Sequence, residues 1–501
     1  MKTFMNSRWM ALSTLLASML VVAGCSLAPT YEKPDVHAPT AFKEEQPLST
    51  AEAGTWKTAQ PSEQIARGEW WTVFNDATLN DLEQQALDAN QNLKAAAARL
   101  KESRAIQQTV RAGLFPTLDA GFSPTYERAS PASQFLPDNT PVSNQTIWRA
   151  QTTASYEVDL FGRVSDSVAA AKADTQQSEA LFRSVQLALQ ADVAQNYFNL
   201  RELDAENDVY TRTVTLREQA LKLVQHRFDE GDISELDVAR AKSELATARS
   251  DEMTVQRLRA ASEHSLAVLL GKSPAEFSMA ANPLNPVDIR IPAGLPSSLL
   301  ERRPDVAAAE RAMAAANARI GVAKSAYFPS LNLTASGGFE ADTLSDLFKW
   351  SSRAFLLGPF AGTALALPLF DGGRRAGNLA NARATYEEDV ATYRQQVLVA
   401  FQEVEDNLSD LRILQDQTKT QADAVAASSR AAQISLHQYT EGATQYLDVI
   451  DAQRTVLQSQ RAAVQLSGQQ AVSTVNLIRA LGGGWGDMPV APAADPSVAS
   501  R

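Results

Sequence analysis

The residues best suited to charge chemistry follow a glycine near the C-terminus. Asp448 and Asp451 are three positions apart, so they share one helix face, and Arg454 follows at the same spacing. Symmetry would multiply these carboxylates into a negative ring of the kind that favours cations and gates pores, with Arg454 offsetting the repulsion. First-turn aspartates are also favoured by the helix dipole as ordinary solvated residues. The spacing alone favours this second interpretation.

Other chemistry-bearing residues form no catalytic arrangement in the sequence. No phosphate-binding glycine loop, Ser-His-Asp set or carboxylate pair with a pocket is evident. Four histidines lack metal-ligand spacing: His37, His226, His264 and His437. The sequence therefore predicts neither an enzyme nor a metal site.

Composition narrows the class of protein. The chain has 501 residues, of which 45% are hydrophobic and 21% charged, so it can build a core but is too polar for a polytopic helical membrane protein. Its 46 basic residues are outnumbered by 58 acidic ones, which argues against nucleic acid as the main partner. A single cysteine has no disulfide partner within the chain.

The position of that cysteine indicates a lipoprotein. Residues 1–24 combine a basic start with a short apolar stretch, as in a secretory signal peptide. The signal ends in small residues before Cys25, which resembles a bacterial lipobox, and we expect a lipid on Cys25 as the only attached group. Ser26 is permissive for the outer membrane. Residues 25–68 lack periodicity and are predicted to be an extended, lipid-anchored segment.

The rest of the chain is an internal duplication. Arg163–Gly271 aligns on Arg374–Gly482 without a gap, and Glu230-Gly231 with Leu236-Asp237-Val238 recurs as Glu441-Gly442 with Leu447-Asp448-Val449. We predict repeats at 69–285 and 286–484, followed by a disordered tail at 485–501.

Each repeat has the same predicted helices. A first helix precedes two strand candidates, and a very long helix, a glycine turn and a last helix follow them. Ser234 and Asp237 resemble a capping box. The long helices carry a heptad-like apolar stripe that includes Asn196 and Asn407, positions that commonly fix coiled-coil register. An ordinary helical bundle is the alternative. The predicted helices are Leu79–Arg111, Val164–Phe228, Glu235–Leu270, Pro304–Lys324, Arg375–Tyr439 and Gln445–Leu481.

The strand candidates favour a membrane barrel. Apolar residues alternate with polar ones along Trp148–Leu160, Leu118–Tyr126 and Leu331–Phe339, and the candidate at 357–370 alternates poorly. Their length and aromatic ends fit a tilted transmembrane strand, although alternation alone also fits a soluble sheet. Four strands cannot close a barrel, so other copies of the chain must complete it.

Several motifs together resemble one family. Cys25-Ser26-Leu27-Ala28-Pro29 is similar to its mature start, and Leu299-Leu300-Glu301-Arg302-Arg303-Pro304-Asp305 and Ala480-Leu481-Gly482-Gly483-Gly484-Trp485 match as well. The chain resembles the outer-membrane lipoprotein factors of tripartite efflux pumps, the TolC/OprM/NodT family, over nearly its whole length.

This resemblance implies a mainly α fold with transmembrane β-strands. It implies a homotrimer in which each chain gives four strands to a twelve-stranded outer-membrane barrel and long helices to a periplasmic α-helical barrel. The implied partners are a periplasmic adaptor protein, an inner-membrane RND-type pump and outer-membrane lipid. The implied function is a passive multidrug exit duct. Thr444 stands where some members have an arginine, so the salt link of those relatives is not expected here.

The resemblance also implies roles for individual residues. The periplasmic gate falls on Asp237, Tyr439, Asp448, Asp451 and Arg454. Adaptor docking falls on the turns, at Asp229, Glu230, Gly231, Asp232, Ile233, Thr440, Glu441, Gly442 and Ala443. The membrane-interface aromatics are Phe115, Trp148, Phe161, Phe328, Trp350 and Phe370.

Two kinds of alternative remain open. Within the same architecture, the chain could serve metal-cation efflux or type I protein secretion. In a different class, it could be a lipid-anchored periplasmic coiled-coil scaffold without a pore. A bilayer conductance measurement separates the scaffold from the channel.

Overall fold

The computed structural model describes residues 26–35, 39, 42–44, 69–137, 140–285, 289, 303–356 and 363–483. The predictions for Cys25, the signal peptide and the tail at 485–501 lie outside these residues. The chain forms two compact units that mix both repeats. One unit holds Met1–Asp35, Arg99–Glu179 and Ala308–Tyr393, and the other holds Val36–Ala98, Ala180–Ala307 and Arg394–Arg501.

Helices form most of the described chain. A short 3-10 helix, Trp70–Phe74, precedes them. In the first repeat they are α1 (Ala77–Ala89), α2 (Gln91–Ala112), α3 (Arg163–Asp229) and α4 (Glu235–Leu269). In the second repeat they are α5 (Pro304–Ser325), α6 (Arg374–Thr440) and α7 (Tyr446–Ala480). None of the described helices is both long and apolar enough to cross a membrane.

The expected single helix at Leu79–Arg111 is wrong, because Asn90 divides it into α1 and α2. The Asn90 carboxamide accepts a hydrogen bond from Leu93 N at 3.0 Å and donates one to Leu269 O at 2.8 Å. A short polar side chain can thus replace backbone bonds at a helix end and stop the helix.

The two longest helices confirm the predicted bounds to within one residue. α3 and α6 have 67 residues each, which corresponds to about 100 Å at ~1.5 Å per residue. On α3, Leu189, Val193 and Leu200 follow the heptad-like spacing and lie in the core of the second unit. Within the protomer, Asn196 and Asn407 donate to Asp192 O and Glu403 O of their own helices, and their interhelical register role stays a prediction.

The strands form one antiparallel sheet in the first unit. β1 (Thr117–Glu127) pairs with β2 (Gln145–Val158), and β2 pairs with β3 (Ser330–Ala341). In place of a regular fourth strand, two short strands, β4 (Arg353–Leu356) and β5 (Thr363–Ala366), pair with β3. Residues 357–362 of the fourth candidate lie outside the described residues.

The register confirms the alternation. Ala150 faces Phe122 on β1 and Phe339 on β3, so these apolar side chains share one face. On the other face, Arg149 donates to Glu340 at 2.9 Å and to Thr125 at 3.1 Å. The apolar face is open in the protomer, with Leu118 and Phe122 exposed, among others.

The predicted interface aromatics lie at the two ends of this sheet. Trp148 stacks on Phe122 at 5.8 Å near one end, and Trp350 follows β3 at that end and is exposed. At the end that leads into the helices, Phe161 stacks on Phe328 at 4.8 Å. Phe115 and Phe370 flank β1 and β5 at this end and are exposed.

Candidate functional site at the helix tips

Both long helices end in the same glycine turn. We call residues 229–233 the first tip and 440–443 the second tip. Gly231 and Gly442 have φ of +84° and +76°, a left-handed conformation that glycine adopts without a steric cost. Asp232 N bonds Arg227 O at 2.9 Å, and Ala443 N bonds Gln438 O at 2.8 Å, as expected of a Schellman turn. The predicted glycine turns are therefore present in both repeats.

The residues predicted for docking are available at the surface. Eight of the nine are exposed, and only Ile233 is half-buried, because it packs under the first tip. Below the turns, four helices close around one apolar group, which we call the tip cluster: Val224, Val238, Ala241, Tyr439, Tyr446, Val449 and Ile450.

Tyr439 joins the two repeats within one protomer. It is only 3% exposed and packs against Tyr446 with ring centroids 5.4 Å apart. The Arg227 guanidinium lies 4.8 Å from its ring centroid and donates to Tyr439 O at 3.0 Å. Burial raises the pKa of Tyr439, and it raises the pKa of Tyr446 to about 12. Both phenols therefore stay neutral at physiological pH.

Sequence reasoning missed Arg227. Its only signal was a basic residue in the last turn of a helix, where a dipole contact is common. Its partner, the α6 terminus, is 212 positions away along the chain.

Asp448 is tied to the start of α7. It accepts hydrogen bonds from Gln445 N at 3.3 Å and from the Thr444 hydroxyl. The first bond is the return half of a capping box. The Thr444 hydroxyl thus bonds Asp448 directly.

The capping box predicted at Ser234 does not form, because the Ser234 side chain makes no capping hydrogen bond. The Asp237 carboxylate is instead 3.4 Å from Arg240 on the next turn of α4. The same backbone turn therefore begins with different side-chain contacts in the two repeats.

Arg454 links α7 to α4. Its Nε lies 3.2 Å from Glu244 Oε1, whereas its Nη1 lies 3.5 Å from the exposed Asp451. The hydrogen bond that Arg454 donates to Glu244 raises the pKa of Arg454. The predicted Asp451–Arg454 pair is therefore present, with Glu244 as the nearer partner.

Glu244 was also missed by the sequence reasoning. Its other oxygen lies 3.1 Å from the buried Arg217 on α3, so one carboxylate joins three helices. Within the part of the chain that the structure covers, no cluster of three or more His, Cys, Asp or Glu side chains could hold a metal ion.

Comparison with known proteins identifies a family and its fold. The family model "Outer membrane efflux protein" matches residues 82–272 and again residues 295–483, which agrees with the internal duplication. The toluene efflux pump outer membrane protein TtgF of Pseudomonas putida is 32% identical over 478 residues, 95% of this chain and 98% of the relative. The cation efflux system protein CusC of Escherichia coli is 31% identical over 469 residues, 93% and 97% of the two chains.

Solved structures agree. The outer-membrane channel OprN superposes with a TM-score of 0.82 at 30% identity, over 92% of this chain and all of the other. The open-state MtrE outer membrane channel of Neisseria gonorrhoeae superposes with a TM-score of 0.79 at 28% identity, over 92% and 99% of the two chains. The resemblance drawn from the sequence motifs and its TolC-like fold are confirmed.

Proposed function

Because the chain belongs to the outer membrane efflux protein family, we propose that it is the outer-membrane exit duct of a tripartite, RND-type multidrug efflux pump. The observation that best supports this proposal is the two-sided sheet. One face is apolar and exposed, and the polar face holds the Arg149–Glu340 pair. Such two-sided strands suit lipid on one side and a water-filled lumen on the other.

Trimerisation completes the barrel. Among the described strands, β1 pairs only with β2, while β4 and β5 pair only with β3, so both sheet edges are unpaired. Unpaired edges cannot face hydrocarbon. With β4 and β5 together occupying one strand position beside β3, three copies joined edge to edge give the twelve-stranded barrel. A lipid on Cys25 adds an anchor that does not span the membrane.

The tips form the resting gate and the docking site of the adaptor. In a trimer the exposed Asp448 and Asp451 repeat around the axis, and repulsion in this ring is limited by Arg454 and by the donors of Asp448. The inner-membrane pump supplies the energy and selects the cargo. The duct itself performs no catalysis.

Planar-bilayer conductance tests this proposal. The wild-type trimer should form channels with a low resting conductance, and Asp451→Ala and Arg454→Gln should each raise it. Arg249→Gln is the matched control. Arg249 of α4 makes an exposed ion pair with Glu218 of α3, away from the tips. Complete lack of channels, even in an Asp448→Ala, Asp451→Ala double variant, would favour the scaffold without a pore. Resting conductance that is unchanged in both single variants would remove the gate assignment.

Cations are the second candidate cargo, because the cation efflux relative is nearly as similar as the toluene efflux relative, at 31% against 32% identity. Complementation of strains that lack the outer-membrane factor of a toluene efflux pump or of a cation efflux system would separate the two. Rescue of cation tolerance alone would assign the chain to cation export.

A further inference from the structure

A buried carboxylate lies beside the first residues after the predicted lipidation site. Asp166, in the first turn of α3, is 5% exposed. Its Oδ1 accepts a hydrogen bond from the Ser26 hydroxyl at 2.7 Å. Its Oδ2 is buried without a hydrogen-bond partner among the described residues. The Ala28 backbone N–H also approaches this carboxylate, but it leaves Oδ2 itself without a hydrogen bond. Since an unpaired buried carboxylate oxygen is costly, Oδ2 can take a further donor.

Two glycines make room for this carboxylate. A Cβ on Gly162 would lie 2.7 Å from Ser26 Cα and 3.1 Å from Asp166 Oδ2. A Cβ on Gly321 would lie 2.1 Å from Asp166 Oδ2 and 2.7 Å from Ala28 Cβ. The unpaired oxygen is therefore enclosed between the glycines and residues 26–28.

Further contacts fasten the following residues, which we call the N-terminal strap (26–35). Asn317 donates to Pro29 O at 2.8 Å. Lys33 lies 3.5 Å from Glu310 and also approaches the Tyr393 ring. The strap is thus held along its length by α5 and α6.

Asp166 is not required to cap its helix. Asp159 already accepts from Val164 N and Ser165 N at the start of α3, and Asp371 accepts from Gly373 N and Arg375 N at the start of α6. Both repeats thus have a capping aspartate just before the long helix, at positions that differ by one residue in the repeat alignment.

The repeat position equivalent to Asp166 is Gly377, which has open space around its Cα. The extra carboxylate therefore occurs only in the repeat that holds the strap.

We propose that the Asp166 carboxylate, in its glycine cradle, is the docking site of the mature amino terminus and accepts the N–H of Cys25. Cys25 directly precedes Ser26, and after signal cleavage its nitrogen begins the chain. That nitrogen is an amide N–H when acylated and an ammonium when free, and both donate to a carboxylate. Burial raises the pKa of Asp166, and this added donor would counter that effect. The site would fix the lipid-bearing residue against α3 and α5.

The inference rests on the lipidation in the proposed function, so the experiment separates the two. The full-length protein is matured in a Gram-negative outer membrane and purified in detergent, and mass spectrometry of its N-terminal peptide reports the lipid. Hydrogen–deuterium exchange then measures the protection of residues 26–35.

Asp166→Asn and Gly321→Ala should speed exchange in the strap by roughly tenfold, as expected for loss of a hydrogen bond to a charged group. Gly377→Ala, another helical glycine but with open space, should leave it unchanged. In a Ser26→Ala background, Asp166→Asn should still cause a further loss at residues besides Ala28, because the carboxylate also holds Cys25. A further loss confined to the Ala28 amide, which itself approaches the carboxylate, would overturn the docking site.

Each outcome decides a specific point. A lipidated wild type whose strap exchange is unchanged by Asp166→Asn overturns the docking site and leaves the channel proposal intact. Equal exchange in Ser26→Ala and in the double variant reduces Asp166 to a partner of Ser26 and also overturns it. Absence of lipid on Cys25 overturns both the lipid anchor and this inference.

Discussion

The two helix tips share a backbone turn and differ in charge and anchoring. Both have a left-handed glycine and the same closing hydrogen bonds. Arg240 stands in the first repeat where the second has Asp451, so Asp237 has a cation on its own helix face whereas Asp448 has a second carboxylate.

The aromatic residues diverge as well. Tyr439 is buried, whereas its equivalent in the first repeat, Phe228, is exposed. The duplication thus preserved what the turn needs locally. The second tip carries the buried tyrosine and two neighbouring carboxylates, and the first repeat supplies Arg227, the cation that packs on Tyr439.

Tyr439→Ala should have the largest effect. Removing this buried ring leaves a cavity in the tip cluster, and we expect a loss of about 3 kcal/mol in the local opening free energy. Hydrogen–deuterium exchange of residues 436–450 measures it. Phe228→Ala, at the equivalent exposed position, should cost well under half as much. Equal losses would mean that the tips are not anchored differently.

Arg227→Gln should have the next largest effect. It installs the residue found at the equivalent position, Gln438, and removes both the ring contact and the bond to Tyr439 O. We expect a loss of about 1–2 kcal/mol in the stability of both tips. Arg212→Gln, which removes an exposed ion pair with Asp208, should change nothing measurable. If only the first tip loosens, Arg227 does not connect the repeats.

The equivalent aspartates Asp448 and Asp237 provide a comparison with a smaller expected effect. Asp448→Asn weakens two hydrogen bonds at the start of α7 and should cost about 1 kcal/mol. Asp237→Asn removes one long contact with Arg240 and should cost only a few tenths of a kcal/mol. Exchange at the first turns of α4 and α7 reports both. The reverse order would contradict the assigned capping roles.

Alkaline pH alone, without any mutation, should destabilise the tip cluster. The pKa of Tyr446 is raised to about 12, above its usual value near 10, so folding favours the neutral phenol. Stability from this group is complete below pH 10 and is lost as the pH rises towards 12.

Tyr446→Phe should remove that part of the pH dependence, measured as exchange at the second tip between pH 9 and pH 11.5. Tyr126→Phe, which changes an exposed tyrosine of β1, should not. Identical alkaline profiles for wild type and Tyr446→Phe would show that Tyr446 titrates as a solvated phenol.

Local patterns made most of the architecture predictable. Glycine at 231 and 442 ends the long helices because it alone adopts the required φ without a steric cost, and the alternation of β1–β3 fixes which face is apolar. The break at Asn90 was missed because its cause, a bond to Leu269 O, comes from a distant helix. The prediction of a capping box at Ser234 was wrong because the Asp237 carboxylate contacts Arg240 instead.

By itself, the sequence determined the duplication, the helix ends, the two-sided strands and the family, since each depends on residues close together or on a repeated pattern. Only the tertiary structure decided the partners: Arg227 with Tyr439, Arg454 with Glu244, and Ser26 with Asp166. Their physical reason is the same. Each contact joins residues more than a hundred positions apart, and a polar side chain has no local preference that reveals which distant group it will meet.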